Sequence, residues 1–227
     1  MYGLVFGLLI VLVIIYVYWI QYSKGDYKKV FLDDLLKSKV LKTGDIILFK
    51  AYNNYNSIIL GSYFGHVGVC YVDPLDPQKT PYLFESNGIE HMPLKEHHSK
   101  NGVFFTPLEN RIQKYKGRVF VKTLVTKLDD CIVNDFYKFI QYCLMHMWYN
   151  TNVLLSAFKK GLGLEYCGHG TNCGELTFIS LIKLSLLPIS YYNKNMFHHL
   201  NFVTSIKKLN NNEYNDIVEI IDHPFYQ

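Results

Sequence analysis

The chain is poor in arginine, with Arg111 and Arg118 standing against 21 lysines. A nucleic-acid interface is typically a basic stripe in which arginines lie among aromatic residues, and no such stripe occurs, so we expect no nucleic-acid partner. The five cysteines are odd in number and irregularly spaced, which argues against a disulfide framework and favours a reducing compartment. The sequence also contains no Asn-x-Ser/Thr acceptor for glycosylation and no internal repeat.

Apolar residues are plentiful. Hydrophobic residues make up 49% and aromatic residues 16% of the 227 positions, which is enough for a packed core and argues against disorder. Short apolar segments between turn signals predict strands at 46–49, 66–72, 82–86, 102–105 and 119–124. Helical spacing and a final apolar segment then predict helices at 132–149, 152–160, 173–187 and 196–207, and a strand at 217–221. Strands followed by helices, without alternation, predict an α+β domain.

The N-terminus predicts a membrane anchor. Residues 2–20 are 19 uncharged and mostly apolar positions, and a bilayer span needs about 20. Tyr16, Tyr18 and Trp19 at its far end are typical of a membrane interface. A cleaved signal peptide is the alternative, but it would need a charged beginning and small residues at a cleavage site. We therefore expect a single-pass transmembrane helix, with the membrane as a partner through residues 2–20.

The charges after this segment predict its orientation. Lys24, Lys28 and Lys29 follow it and only Asp26 offsets them, which favours a cytoplasmic C-terminal domain. The predicted organisation is a transmembrane anchor at 1–21, a juxtamembrane linker and short helix at 22–40, and one domain at 41–227.

Cys173 is the candidate nucleophile. It follows a glycine-rich polar segment, 166–172, and precedes an apolar helical segment, 176–187, so we expect it in the first turn of a helix. A free thiol titrates near about pH 8.5, and a helix N-terminus or a neighbouring imidazolium stabilises the thiolate. Backbone N–H groups there could also face an oxyanion. A buried core cysteine is the commoner alternative, but the flanking Asn, Gly and Glu argue against it.

His66 is the candidate base. It begins an apolar strand, where a lone histidine is more often a satisfied core residue than a catalyst. Because side chains alternate along a strand, His66, Gly68 and Cys70 share one face, and Gly68 leaves space beside the imidazole.

A hairpin supplies the candidate third residue. If Val72 pairs with Pro81, Asn87 lies opposite His66, and Glu85 lies diagonally from His66 on the same face. A carboxylate at that place would orient the ring and stabilise the imidazolium. Glu85 is therefore the expected third residue, and Asn87 is the alternative.

A zinc site is a competing interpretation of the same region. Cys167, His169 and Cys173 are close in sequence, and with His66 they could supply four ligands. The spacing lacks a C-x-x-C pair and no second cysteine pair exists, so we expect no metal and no cofactor.

Four motifs occur in a fixed order along the chain: Gly44-Asp45-Ile46-Ile47, Gly65-His66-Val67-Gly68-Val69, Glu85 and Asn172-Cys173-Gly174-Glu175. With these motifs the chain resembles the circularly permuted branch of the NlpC-type papain-like cysteine hydrolases over about residues 41–190. This branch includes bacterial YiiX-like proteins, a poxvirus member and the lecithin:retinol acyltransferase-like enzymes, and its histidine strand precedes its cysteine helix.

The resemblance implies an antiparallel sheet packed on the helix that carries the cysteine. It also implies that Cys173 is the nucleophile, His66 the general base and Glu85 the polar third residue. The family cleaves amides, esters or thioesters, or transfers acyl groups, through an acyl-thiol intermediate. This chain departs from compact members in a helical insert at about 126–165.

Three functions compete at this point. The expected one is a membrane-anchored cysteine hydrolase of the thiol protease type, which cleaves a peptide or amide bond. A lipid acyltransferase or thioesterase would use the same triad, and an apolar channel leading to the thiol would favour it. A catalytically inactive, membrane-bound interaction module would keep the thiol and imidazole apart. An anchor and the residue usage of an AT-rich genome suit a large DNA virus, with the protein in a host membrane or virion.

Overall fold

The computed structural model describes residues 2–22, 26–51, 63–87, 102–149, 170–188 and 213–221. The helices are α1 Tyr2–Tyr22, α2 Leu32–Lys37, α3 Leu108–Gln113, α4 Asp130–His146 and α5 Cys173–Lys183. The strands are β1 Lys28–Phe31, β2 Ile46–Ala51, β3 His66–Val72, β4 Pro81–Ser86, β5 Val103–Pro107, β6 Gly117–Leu124, β7 Trp148–Tyr149, β8 Gly170–Thr171 and β9 Tyr214–Ile221. The described chain is therefore a mixed α+β structure.

A seven-stranded sheet dominates the described part of the chain. Its strand order is β1-β9-β6-β2-β3-β4-β5, and β7 and β8 form a separate pair. The strands from β9 to β5 pair antiparallel with their neighbours, whereas β1 runs parallel to β9. Strand β3 lies inside the sheet, between β2 and β4. His66 is its first residue, so both neighbouring strands hold it in place.

Helices cover both faces of this sheet. On one face, α2 and α3 contribute Leu32, Leu35, Leu108 and Ile112 to a core cluster with Phe49 and other strand residues. On the other face, α4 and α5 pack against β3, β4 and β5. Along each strand, successive side chains belong alternately to the clusters on the two faces, because they point to opposite sides of the sheet. The helix that carries Cys173 thus packs on the sheet, as the resemblance implies.

The turn before β2 is fixed by a glycine and a buried aspartate. Gly44 has a φ of 98°, a left-handed conformation that favours glycine. The side chain of Asp45 is fully buried and accepts hydrogen bonds from the backbone N–H groups of Leu124, at 2.7 Å, and Lys42, at 2.9 Å. The aspartate therefore joins the beginning of β2 to the end of β6.

Asp45→Ala is expected to destabilise the fold by about 1–3 kcal/mol, because it leaves the buried N–H of Leu124 without its acceptor. Urea unfolding followed by circular dichroism measures the change. Asp33→Ala is the matched control, since Asp33 makes an exposed ion pair with Lys37 and should change stability little. Equal effects of the two substitutions would contradict the structural role given to Asp45.

The N-terminal segments form a helix and, after it, an edge strand. Tyr2–Tyr22 is helical, and the side chains of residues 5–16 are exposed. Within the described residues, however, no helix reaches the length and apolarity needed to cross a membrane, so the predicted transmembrane anchor at 1–21 is not supported. The segment 22–40, expected to be a linker and short helix, also contributes the edge strand β1, since Lys28 pairs with Val218 of β9.

The later helices are close to their predicted positions. Helix α4 ends at His146, three residues before the predicted end, because Trp148–Tyr149 pairs with Gly170–Thr171. Helix α5 ends before Pro188 because Ser185 adopts a left-handed φ of 59° and Leu186 N–H donates to the carbonyl of Leu181. The predicted helices at 152–160 and 196–207 lie outside the described residues, as does much of the predicted insert at 126–165.

Candidate active site

His66 lies at the beginning of β3. Its strand neighbour Phe49 stands directly across from it in β2, with ring centroids 5.4 Å apart. Only 14% of the imidazole side chain is exposed. The ring is therefore held between strands with a small opening to solvent.

Glu85 reaches His66 across the predicted hairpin. Val72 pairs with Pro81 and Val69 with Phe84, so the register predicted from the sequence is confirmed. Oε2 of Glu85 lies 2.6 Å from Nε2 of His66, and the glutamate side chain is fully buried. Asn87, the alternative third residue, donates its backbone N–H to the carbonyl of Gly102 at 2.8 Å. Glu85 is thus the carboxylate that contacts the imidazole.

Cys173 is the first residue of α5 and is partly exposed. The preceding Asn172 caps the helix, because its side chain accepts the N–H of Glu175 at 2.9 Å. His66 and the backbone N–H groups of Val67 and Gly174 interact with the sulfur of Cys173 and favour its anion. Nε2 of His66 contacts Glu85, so Nδ1 is the ring nitrogen available to the thiol.

The charges of these three groups support one another. Burial alone would lower the pKa of His66, but the Cys173 thiolate and the Glu85 carboxylate outweigh burial and raise it to about 9. Burial would raise the pKa of the Cys173 thiol, but the His66 charge and the hydrogen bonds to the sulfur leave it below its ordinary value. The two shifts together favour a thiolate–imidazolium pair at neutral pH.

Glu85 remains ionised although it is buried. Burial alone would raise the pKa of its carboxyl, but the charges of Arg111 and His66 outweigh burial and lower it to about 2. The ionised carboxylate therefore contributes to stability above the ordinary carboxyl range of about pH 4.3. This contribution is lost as the pH falls towards 2.

Arg111 is the residue of this network that sequence reasoning missed. Its Nε donates to Oε1 of Glu85 at 2.6 Å, and its side chain is 4% exposed. It lies 26 positions from Glu85 on α3, a six-residue helix that the periodicity did not predict. The only signal in the sequence is that arginine is rare in this lysine-rich chain.

Gly68 is placed where a side chain would disturb the carboxylate. A Cβ at this position would lie 2.9 Å from the carbonyl oxygen of Phe84, 2.7 Å from Cδ1 of Leu83 and 3.1 Å from Cβ of Glu85. The space that the sequence predicts beside the imidazole is thus occupied by the opposite strand.

We expect Gly68→Ala to destabilise the fold by about 1–3 kcal/mol and to slow alkylation of Cys173, because the new methyl group must push β4 and Glu85 away. Thermal unfolding and the rate of thiol alkylation measure the two effects. Gly7→Ala is the control, since a Cβ there meets nothing within 4 Å. A Gly68→Ala protein as stable and as reactive as the wild type would refute the close approach.

The structure brings together Cys173, His66 and Glu85, which are far apart in sequence. Cys167 and His169, the other residues of the alternative zinc site, lie outside the described residues. Among the described residues, no group of three or more histidines, cysteines or acidic residues is arranged to hold a metal ion. The four cysteines in the described segments, Cys70, Cys131, Cys143 and Cys173, are free thiols.

The chain has distant likenesses among solved structures. The solved structure of the metalloprotein YiiX from Escherichia coli O157:H7 is similar to this chain, with 15% sequence identity and a TM-score of 0.45. The likeness covers 81% of this chain and 98% of that chain. No protein-family profile matches the chain. No curated protein sequence matches it either. The expected YiiX-like neighbour is therefore found, and the permuted NlpC-type assignment stays a prediction.

Proposed function

We propose that this protein is a cysteine hydrolase of the permuted papain-like type that cleaves an amide or peptide bond. The observation that carries the proposal is the contact chain from thiol to imidazole to carboxylate. His66 interacts with the Cys173 sulfur and favours its anion, and Nε2 of His66 lies 2.6 Å from Oε2 of the buried Glu85. An inactive interaction module would not need this alignment of three titratable groups.

In the first step, the thiolate of Cys173 attacks the acyl carbon of the substrate. The new C–S bond forms, the bond to the leaving amine breaks, and the imidazolium of His66 gives its Nδ1 proton to the amine. In the second step, His66 takes a proton from water, the resulting hydroxide attacks the thioester, and the C–S bond breaks to release the carboxylic acid. Glu85 holds the imidazole in orientation and stabilises its charged form in both steps.

The beginning of α5 can stabilise the negative oxygen that forms on the acyl carbon. The first N–H groups of a helix have no partner within the helix. The N–H of Glu175 is taken by the cap on Asn172, and that of Gly174 is directed at the sulfur. The N–H of Cys173 itself, at the first position of the helix, is the proposed oxyanion donor.

The full chain should be incubated with peptide amides, carboxylic esters, acyl thioesters and phospholipids, and Cys173 should be examined for a trapped acyl group by mass spectrometry. We expect an acyl adduct on the peptide containing Cys173 and release of the free acid from an amide or peptide. Transfer of the acyl group to an added amine or lipid, in preference to water, would instead favour the acyltransferase. No adduct on Cys173 from any of these donors would overturn the proposal.

A further inference from the structure

Arg111 is a buried cation that contacts the candidate triad from behind. It lies on α3 and contacts the carboxylate of Glu85, which in turn contacts His66. Its guanidinium carbon is 4.6 Å from the ring centroid of Phe49 and 5.1 Å from that of Tyr115. Two aromatic faces and one carboxylate therefore fix the guanidinium in a single orientation.

The two oxygens of Glu85 are shared between two donors. Oε1 accepts from Nε of Arg111 at 2.6 Å, and Oε2 lies 3.4 Å from Nη2 of Arg111 and 2.6 Å from Nε2 of His66. The two-point contact sets the plane of the carboxylate, so Oε2 is aimed at the imidazole. Because His66 then uses Nε2 for Glu85, its Nδ1 is kept for the thiol.

The charged groups around Glu85 come from separate elements. His66 contacts Glu85 from β3, and Arg111 contacts it from α3. Tyr115, which comes just after α3 in the chain, is a third titratable residue that interacts with Glu85. Burial raises the pKa of Tyr115, with a further contribution from Glu85, so its phenol is neutral at ordinary pH. Arg111 and His66 are thus the two cationic partners of the Glu85 carboxylate, and Arg111 is the one that contacts Oε1.

A buried ion pair is weak evidence for a purely stabilising role, because desolvation of both groups opposes their attraction. The same chain provides a comparison away from the triad. Arg118 makes a two-point contact with Glu219, at 2.7 Å for both hydrogen bonds, but that glutamate contacts no histidine in the described part of the chain. The Arg111 pair differs in that its carboxylate is shared with an imidazole.

We propose that Arg111 is a positioning residue, which holds Glu85 ionised and oriented so that His66 remains protonated and directed at Cys173. This inference rests on the proposed function, since it assumes that the thiolate is the reactive species. An arginine suits this task better than a lysine, because its planar fork fixes both oxygens of a carboxylate whereas an ammonium acts as a point charge.

The test measures the alkylation rate of Cys173 by iodoacetamide as a function of pH, in a Cys131→Ser background that removes an exposed thiol. The variants are Arg111→Met, Arg111→Lys, Glu85→Gln and the double variant Glu85→Gln/Arg111→Met. Arg118→Met is the matched control, since it removes the other two-point arginine–glutamate contact. Circular dichroism and thermal unfolding verify that each variant is folded.

Arg111→Met should raise the midpoint of the alkylation profile by about one pH unit and lower the rate at neutral pH about tenfold. Arg111→Lys should fall between Arg111→Met and the wild type. In the Glu85→Gln background, Arg111→Met should change the rate by less than about twofold, because the residue acts through the carboxylate. Arg118→Met should reduce thermal stability and leave the midpoint unchanged.

An Arg111→Met protein with the wild-type profile would overturn the inference. The inference would also be overturned if the rate losses of Arg111→Met and Glu85→Gln multiplied in the double variant, because the two residues would then act independently. If Arg111→Met does not fold, Arg111→Lys becomes the test variant. An alkylation midpoint of Arg111→Lys identical to that of the wild type would then overturn the inference. Failure of the proposed function is a different result, in which Cys173 of the wild type reacts no faster than an ordinary exposed thiol.

Discussion

Replacement of Cys173 by alanine is expected to abolish hydrolysis and alkylation by an electrophilic probe, with a loss in kcat on the order of 10⁴-fold or more. The reason is that a methyl group can form no thioester, and the described residues of this site contain no second thiol that could accept the acyl group. His66 and the backbone N–H groups of Val67 and Gly174 also stabilise the Cys173 anion, so we expect the other cysteines to be less reactive than Cys173.

The controls for this variant use the other cysteines of the chain. Cys70 and Cys143 are buried, and burial raises the pKa of each thiol, so neither should react under mild conditions. Cys131→Ala and Cys167→Ala should both leave labelling of Cys173 intact. A Cys173→Ala protein that still hydrolyses substrate, or a Cys167→Ala protein that loses labelling, would contradict the assignment of the nucleophile.

Replacement of His66 by alanine is expected to lower the alkylation rate at neutral pH by about tenfold or more, and to move its midpoint up towards the ordinary thiol value of about 8.5. In the wild type the imidazolium lowers the pKa of the thiol, and in the variant that charge is absent. Hydrolysis should be lost more completely than alkylation, because alkylation needs only a thiolate whereas amide cleavage also needs a proton donor.

The wild-type pH dependence of hydrolysis follows from the same pair. Activity should rise as the thiol ionises, below its ordinary pKa, and fall as His66 loses its proton near pH 9. An alkaline fall of wild-type hydrolysis with a midpoint well away from pH 9 would show that a group other than His66 titrates there.

The hairpin and its carboxylate could be predicted because their signals are local. A proline-rich break after Val72 fixes where β3 ends, and strand alternation then decides that Glu85 shares a face with His66. Cys173 could be placed in a first helical turn because a glycine-rich polar segment precedes it and an apolar helical segment follows, and in the structure Asn172 caps that helix. Neither argument needs information from distant parts of the chain.

The missed elements depend on contacts that no local pattern contains. β1 is four residues long and pairs in parallel with β9, about 190 positions later, so its strand character comes from that partner. Helix α3 is a single short helix without a side-chain cap, and Pro107 precedes it. Arg111 could not be assigned to Glu85 without knowing how α3 packs on the sheet, because the two residues meet only in the folded chain.

The most direct test of the account is the ionisation of Cys173 in the resting protein. The ultraviolet absorbance of the thiolate can be measured against pH as the difference between wild type and Cys173→Ala. The account predicts a thiolate signal that is already present at neutral pH, with a midpoint clearly below about 8.5, and that His66→Ala moves this midpoint upwards. A midpoint at or above that value in the wild type, unchanged by His66→Ala, would contradict the thiolate–imidazolium pair on which the account depends.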